Sequence, residues 1–111
     1  MSDERRSAKR HALWVPVELK QGEDVYMLAI SRNISLTGVL VVVGAQLEAG
    51  ERVELTLTVP SSEPRTAAGE IVRVQVNEED PDGLWKYLLA VRFDEPVPEL
   101  EDALEKLEQS S

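Results

Sequence analysis

The sequence predicts a mainly β domain, a small antiparallel barrel or sandwich closed by one C-terminal helix. Three observations predict it. Six segments read as strands, most of them with apolar residues at a period of two, as strands with one buried face have. Turn-forming residues separate them at regular spacing. After Pro96 the apolar period lengthens to that of a helix.

The elements are taken in chain order. Leu13, Val15, Val17 and Leu19 alternate with Trp14, Pro16, Glu18 and Lys20, giving a first strand with one apolar face. Gln21-Gly22-Glu23-Asp24 has turn composition. A second strand runs from Val25 to Asn33, with Tyr26, Leu28 and Ile30 on one face. The third, Val39 to Val43, is apolar on both faces. It is either a central, doubly covered strand or one whose outer face meets a helix or a partner. Gln46 to Gly50 is a loop, after which Val53, Leu55, Leu57 and Val59 alternate with Arg52, Glu54, Thr56 and Thr58. Pro60 to Pro64 is a second loop. The fifth strand spans Arg65 to Val76, with Val72, Val74 and Val76 on one face. Asn77 to Gly83 contains Pro81-Asp82-Gly83 and reads as a hairpin connection. Tyr87, Leu89, Val91 and Phe93 mark the last strand. Leu100, Leu104 and Leu107 then form one stripe of a helix. Pro98 suits its first turn, and Glu99, Glu101 and Asp102 favour the positive end of its dipole. The expected organisation is one domain: an arm over residues 1–12, strands over 13–96 and the helix over 97–109.

Composition removes several classes of function. The chain of 111 residues has no cysteine, which excludes a disulfide scaffold, a thiolate nucleophile and a cysteine zinc site. Its single histidine, His11, leaves no His-rich metal site and no His-dependent triad. Ser35 lacks a Gly-x-Ser-x-Gly setting, so no catalytic residue is expected and the chain is read as a non-enzyme. The acidic run Glu78 to Asp82 does not follow a calcium-loop pattern, and no metal is expected there. Apolar stretches such as Val39 to Val43 are far short of the roughly 20 residues that span a bilayer. With no basic-flanked apolar segment at the N-terminus, a cytoplasmic location is expected.

Charge is unevenly distributed. The net charge is -9, but residues 1–11 carry +2 and the remainder -11. An acidic body argues against DNA or RNA as partners. So does the scatter of Trp14, Tyr26, Trp85, Tyr87 and Phe93, which form no stacking stripe. A short basic arm on such a body suits a compact anion; the plain alternative is a solvated tail.

Two constellations stand apart from the scaffold. Arg6 and Arg10 are four residues apart, with Arg5 just before them. Guanidinium groups offer planar, two-pronged donors that match phosphate oxygens and the O6/N7 edge of guanine. The second is Asn33-Ile34-Ser35-Leu36-Thr37-Gly38, between strands two and three. Asn33 and Ser35 share a parity, so extended backbone would project both from one face and turn Ile34 and Leu36 inward. Gly38 permits positive φ or close backbone approach. The plain alternative is an ordinary turn.

Together these residues resemble the pattern of the PilZ domain, a bacterial receptor module for cyclic di-GMP. That pattern is an RxxxR arm, then [D/N]xSxxG, then further strands and a C-terminal helix. Here the motifs are Arg6 to Arg10 and Asn33 to Gly38, with 22 residues between them. Gly69 to Arg73 and Leu89 to Phe93 are similar to the family's later strands. The resemblance implies a six-stranded antiparallel β-barrel with a C-terminal helix and a flexible basic N-terminal arm. It implies that Arg6 and Arg10 hold the phosphates and guanine edges. It also implies that Asn33 and Ser35 contact a guanine and that Gly38 lets the chain turn beneath the ligand. Asn33 stands where the family more often has Asp; an amide accepts through one oxygen only. Arg5 implies an intercalated ligand pair. The implied function is a cyclic di-GMP receptor or adaptor without a further cofactor. Its arm orders on the ligand and alters the surface near Trp14 that a partner reads. That partner would belong to motility, pilus, exopolysaccharide or regulatory machinery. The alternative is an interaction adaptor of the same fold that binds no nucleotide.

Overall fold

The computed structural model describes residues 13–23, 25–60 and 63–109. Six antiparallel strands and one helix make up these residues: β1 (Pro16–Gln21), β2 (Val25–Ile34), β3 (Gly38–Val43), β4 (Arg52–Leu57), β5 (Arg65–Val76), β6 (Tyr87–Phe93) and α1 (Pro98–Gln109). The strands close into a barrel in the order β1-β2-β3-β6-β5-β4, with β4 returning to β1. Closure settles the choice between barrel and sandwich and removes the free sheet edges.

Period-two alternation fills the interior. Val17 and Leu19 of β1, Val53, Leu55 and Leu57 of β4, and Leu89, Val91 and Phe93 of β6 all point inward and are buried. Leu100, Ala103 and Leu104 of α1 join the same apolar cluster. Each fully buried leucine or isoleucine contributes roughly 1.5–3 kcal/mol over its exposed state. The approach to α1 is tied to the loop after β2. Phe93 N–H donates to Thr37 C=O (2.9 Å), and Val97 N–H donates to Leu36 C=O (2.8 Å).

Alternation in β2 and β5 is interrupted. The β2–β3 register shifts between Ser31 and Asn33, leaving Arg32 as an extra residue. The β5–β6 register shifts between Ile71 and Arg73, leaving Val72 extra. Each β-bulge reverses the parity of the strand residues beyond it. Before the first bulge, Tyr26, Leu28 and Ile30 share a face as expected; it is the outer one, and Met27, Ala29 and Ser31 face the interior. Around the second bulge one expectation changes. Val72, Val74 and Val76 do not form one apolar face. Val74 packs against the core, whereas Val72 and Val76 are exposed.

The doubly apolar third strand is explained by its neighbours. Val39, Val41 and Val43 belong to the core. Val42 points outward yet is only 5% exposed, flanked by its cross-strand partners Ile30 and Leu88. The side chain of Leu107, expected on the helix stripe, lies outside the described residues.

Candidate ligand groove on the outer barrel face

The two bulges flank one stretch of outer surface. Ladder pairing puts Asn33, Leu40, Ala90 and Arg73 side by side across β2, β3, β6 and β5. The adjacent row is Gly38, Arg92 and Glu70. Ile34 is fully buried, so Asn33 must face out. Without the bulge at Arg32, Asn33 would share the inward parity of Ser31. The bulge at Val72 does the same for Arg73, which would otherwise share the inward parity of Ile71.

These rows border an open groove of about 430 Å³, lined among others by Asn33, Gly38, Leu40, Arg73, Ala90 and Arg92. Gly38 makes the groove possible. A Cβ there would stand 2.5 Å from the Val91 carbonyl oxygen, a clash with backbone that nothing can relieve cheaply. Gly38 is therefore needed for close approach of β3 to β6 and not for a positive φ. Gly69 has the same role on the other side of β6, where a Cβ would lie 2.4 Å from the Arg92 carbonyl oxygen.

Ser35 sits differently from its expected place. It is 1% exposed, and its hydroxyl is used within the loop. Thr37 N–H donates to Ser35 Oγ (3.2 Å), the Ser35 and Thr37 hydroxyls are 3.1 Å apart, and Ser35 N–H donates to Gly38 C=O (2.9 Å). This is a serine turn that presets the connection between Asn33 and Gly38. Asn33 and Gly38 are thus brought to one groove, while the Ser35 side chain shapes the loop beneath it. Arg5, Arg6 and Arg10 lie outside the described residues.

The electrostatics of the groove oppose those of the body. Among the described residues no carboxylate lines it, whereas two guanidinium groups do. Arg92 is held toward Glu70 (3.4 Å) at the edge. Arg73 is exposed and carries no ion pair among the described residues. An anion, a flat ring resting on Leu40 and Ala90, and a donor–acceptor edge facing Asn33 would all be accommodated. No group of His, Asp and Glu among the described residues could hold a metal ion. The sequence did not mark Arg73 and Arg92 as ligand contacts. Arg92 lies between inward Val91 and Phe93, so alternation alone could have placed it outside. Arg73 had no such signal, because its side depends on the bulge.

Fold and groove together define a six-stranded β-barrel module whose polar groove lies on the outside of the wall. The chain belongs to the PilZ domain family, which it matches over residues 4–109. Solved structures share the fold at low identity. The inhibitor of motility MotI/DgrA from Bacillus subtilis superposes with a TM-score of 0.69 at 22% identity, over 90% of this chain and 47% of that one. The chain therefore spans about half the length of that protein. The PilZ domain of YcgR from Escherichia coli, solved with c-di-GMP, gives 0.67 at 16% identity, over 96% and 90%. The PilZ domain of CeSA from a cellulose-synthesizing bacterium gives 0.61 at 16%, over 89% and 93%. Among curated proteins none matches. No helix of the described residues is long and apolar enough to cross a membrane.

Proposed function

We propose that the protein is a cyclic di-GMP receptor that acts through contact with another protein. The observation that carries this reading is the groove. On an acidic chain, no carboxylate among the described residues lines it; it has an apolar floor and is bordered by Asn33, Gly38, Arg73 and Arg92. Arg6 and Arg10 approach from the arm and hold phosphate oxygens and guanine edges with two-pronged hydrogen bonds. Asn33 reads a guanine edge from the barrel, and Arg73 stacks on or pairs with the dinucleotide from the opposite side. Ser35 keeps the loop in shape. Gly38 leaves room for the ligand over the strand. Arg5 supports an intercalated ligand pair.

The output depends on position. Closing the arm over the groove changes the surface around Trp14, which is 68% exposed. A partner in the cytoplasm that reads this surface receives the signal without any bond being made or broken. The fold relative YcgR, solved with c-di-GMP, supports the ligand class. The relative named as an inhibitor of motility supports motility machinery as one class of partner.

Isothermal titration with cyclic di-GMP, with GTP and cyclic di-AMP as controls, tests the proposal. Selective micromolar or tighter binding is expected, and a stoichiometry of two ligands per chain supports the role of Arg5. Absence of heat and of any thermal shift overturns the receptor reading and leaves an interaction adaptor of the same fold.

A further inference from the structure

Ser31 is an anomaly of the barrel interior. It is fully buried and faces inward on β2, a position where an apolar residue would pack. Its N–H and its hydroxyl are committed to residues upstream of β1. Ser31 N–H donates to Val15 C=O (3.0 Å). Ser31 Oγ accepts from Val15 N–H (2.9 Å) and donates to Leu13 C=O (2.6 Å). The regular β1–β2 ladder ends at the pair Pro16 and Ile30. The Ser31 side chain prolongs it, where alanine or valine would leave the Val15 N–H and Leu13 C=O unpaired.

The next residue holds the same segment from outside. Arg32, the bulge residue, places its guanidinium 5.2 Å from the centre of the Trp14 ring. Glu79 of the β5–β6 connection lies 3.3 Å from that guanidinium and restrains it. Leu13, Trp14 and Val15 are thus gripped from inside by Ser31 and from outside by Arg32. Asn33 is the next residue along β2 and borders the groove. Arg10 lies three residues before Leu13, within about 11 Å at the extended rise per residue.

We infer that Ser31 and Arg32 are positioning residues that fix the root of the arginine arm relative to the Asn33 groove. This rests on the cyclic di-GMP reading above. Neither residue needs to touch the ligand. They fix the point from which the chain leads back to Arg10, and so set the direction from which Arg10 reaches the groove.

A double-mutant cycle on the full chain tests this, with cyclic di-GMP titrated calorimetrically into wild type, Ser31→Ala, Arg32→Ala, Arg10→Lys and the two pairs with Arg10→Lys. Arg10→Lys keeps the charge and loses the fork. Ser31→Ala is expected to weaken binding about tenfold and Arg32→Ala several-fold. Both penalties should shrink to less than half, in logarithmic terms, in the Arg10→Lys background. A merely structural role would give equal penalties in both backgrounds, and that result overturns the inference. Unchanged affinity in both single variants also overturns it while leaving the receptor reading intact. A wild-type chain that binds no cyclic di-GMP overturns both. If Ser31→Ala does not fold by circular dichroism, Arg32→Ala decides, since its side chain lies on the outside of the barrel.

Discussion

The outer wall of this barrel has two unlike halves. Around β1, β4 and β5 the registers run without interruption. Several side chains there pair with one another. Arg52 pairs with Asp94, the hydroxyls of Thr56 and Thr66 meet at 3.1 Å, and Lys20 lies over the Tyr26 ring. Around β3 and β6 the flanking strands are both bulged, a glycine removes a side chain, and Arg73 stands without an ion pair among the described residues. Regular pairing yields a surface where neighbouring side chains pair across the strands. Interrupted pairing yields an open groove bordered by the exposed Arg73 guanidinium, which suits an anionic ligand.

Substitutions put this contrast to the test. The largest effect is expected from Arg10→Ala. It should weaken cyclic di-GMP binding by roughly 2–4 kcal/mol, the scale for losing a desolvated charged partner, with the fold intact by circular dichroism. Unchanged affinity would remove the arm from the mechanism. Gly38→Val comes next. It forces a side chain against the Val91 carbonyl and should cost about 2 kcal/mol of stability in denaturant titration, as well as filling the groove. A stable variant that still binds would show that the groove is misplaced.

The two halves can then be compared directly by one substitution made twice. Arg73→Ala should weaken the ligand by about 1–2 kcal/mol, the range for a charged hydrogen bond. Arg52→Ala should leave affinity unchanged, because its guanidinium is already engaged by Asp94. Equal losses in the two variants would mean that only net charge matters. Asn33→Asp sharpens the groove itself. A carboxylate accepts two guanine N–H groups where the amide accepts one, so affinity should rise by about 1 kcal/mol. A loss instead would mean that the amide acts as a donor.

The smallest effect concerns pH. The hydrogen bond from Arg52 holds the Asp94 carboxyl below its usual range and raises the Arg52 guanidinium above its own. The depressed carboxyl contributes stability above the ordinary carboxylate value of about 4, and that contribution is lost as pH falls through its lower folded value. Denaturation curves of wild type and Asp94→Asn should therefore converge in acid and differ slightly at neutral pH. The pair is exposed and screened, so the difference is small. Ligand affinity at neutral pH should be the same in both.

Much of this was legible in the residues. Alternation in β1, β4 and β6 needs no tertiary information, since Val17, Leu55 or Leu89 can be buried only on one parity. The change of period after Pro96 marked the helix, and the motifs from Arg6 to Arg10 and Asn33 to Gly38 pointed to the family. The groove was only half legible. Asn33 and Gly38 carried a signal, while Ser35 was expected at the surface and is buried in its own turn. Arg73 was hidden behind a bulge, and Tyr26 and Leu28 share a face whose direction only the barrel defines.

The strand count, the helix, the apolar parity of the regular strands and the family could all be read from the linear chain. Each depends on local periodicity or on short motifs, which a linear chain displays. Which strands are neighbours, that the sheet closes, and that bulges at Arg32 and Val72 turn Asn33 and Arg73 to one outer groove emerge only from the folded barrel. A bulge is a mismatch between two strands that pair in space. It has no signature in either strand alone, so the site it creates appears only once the partners are in register.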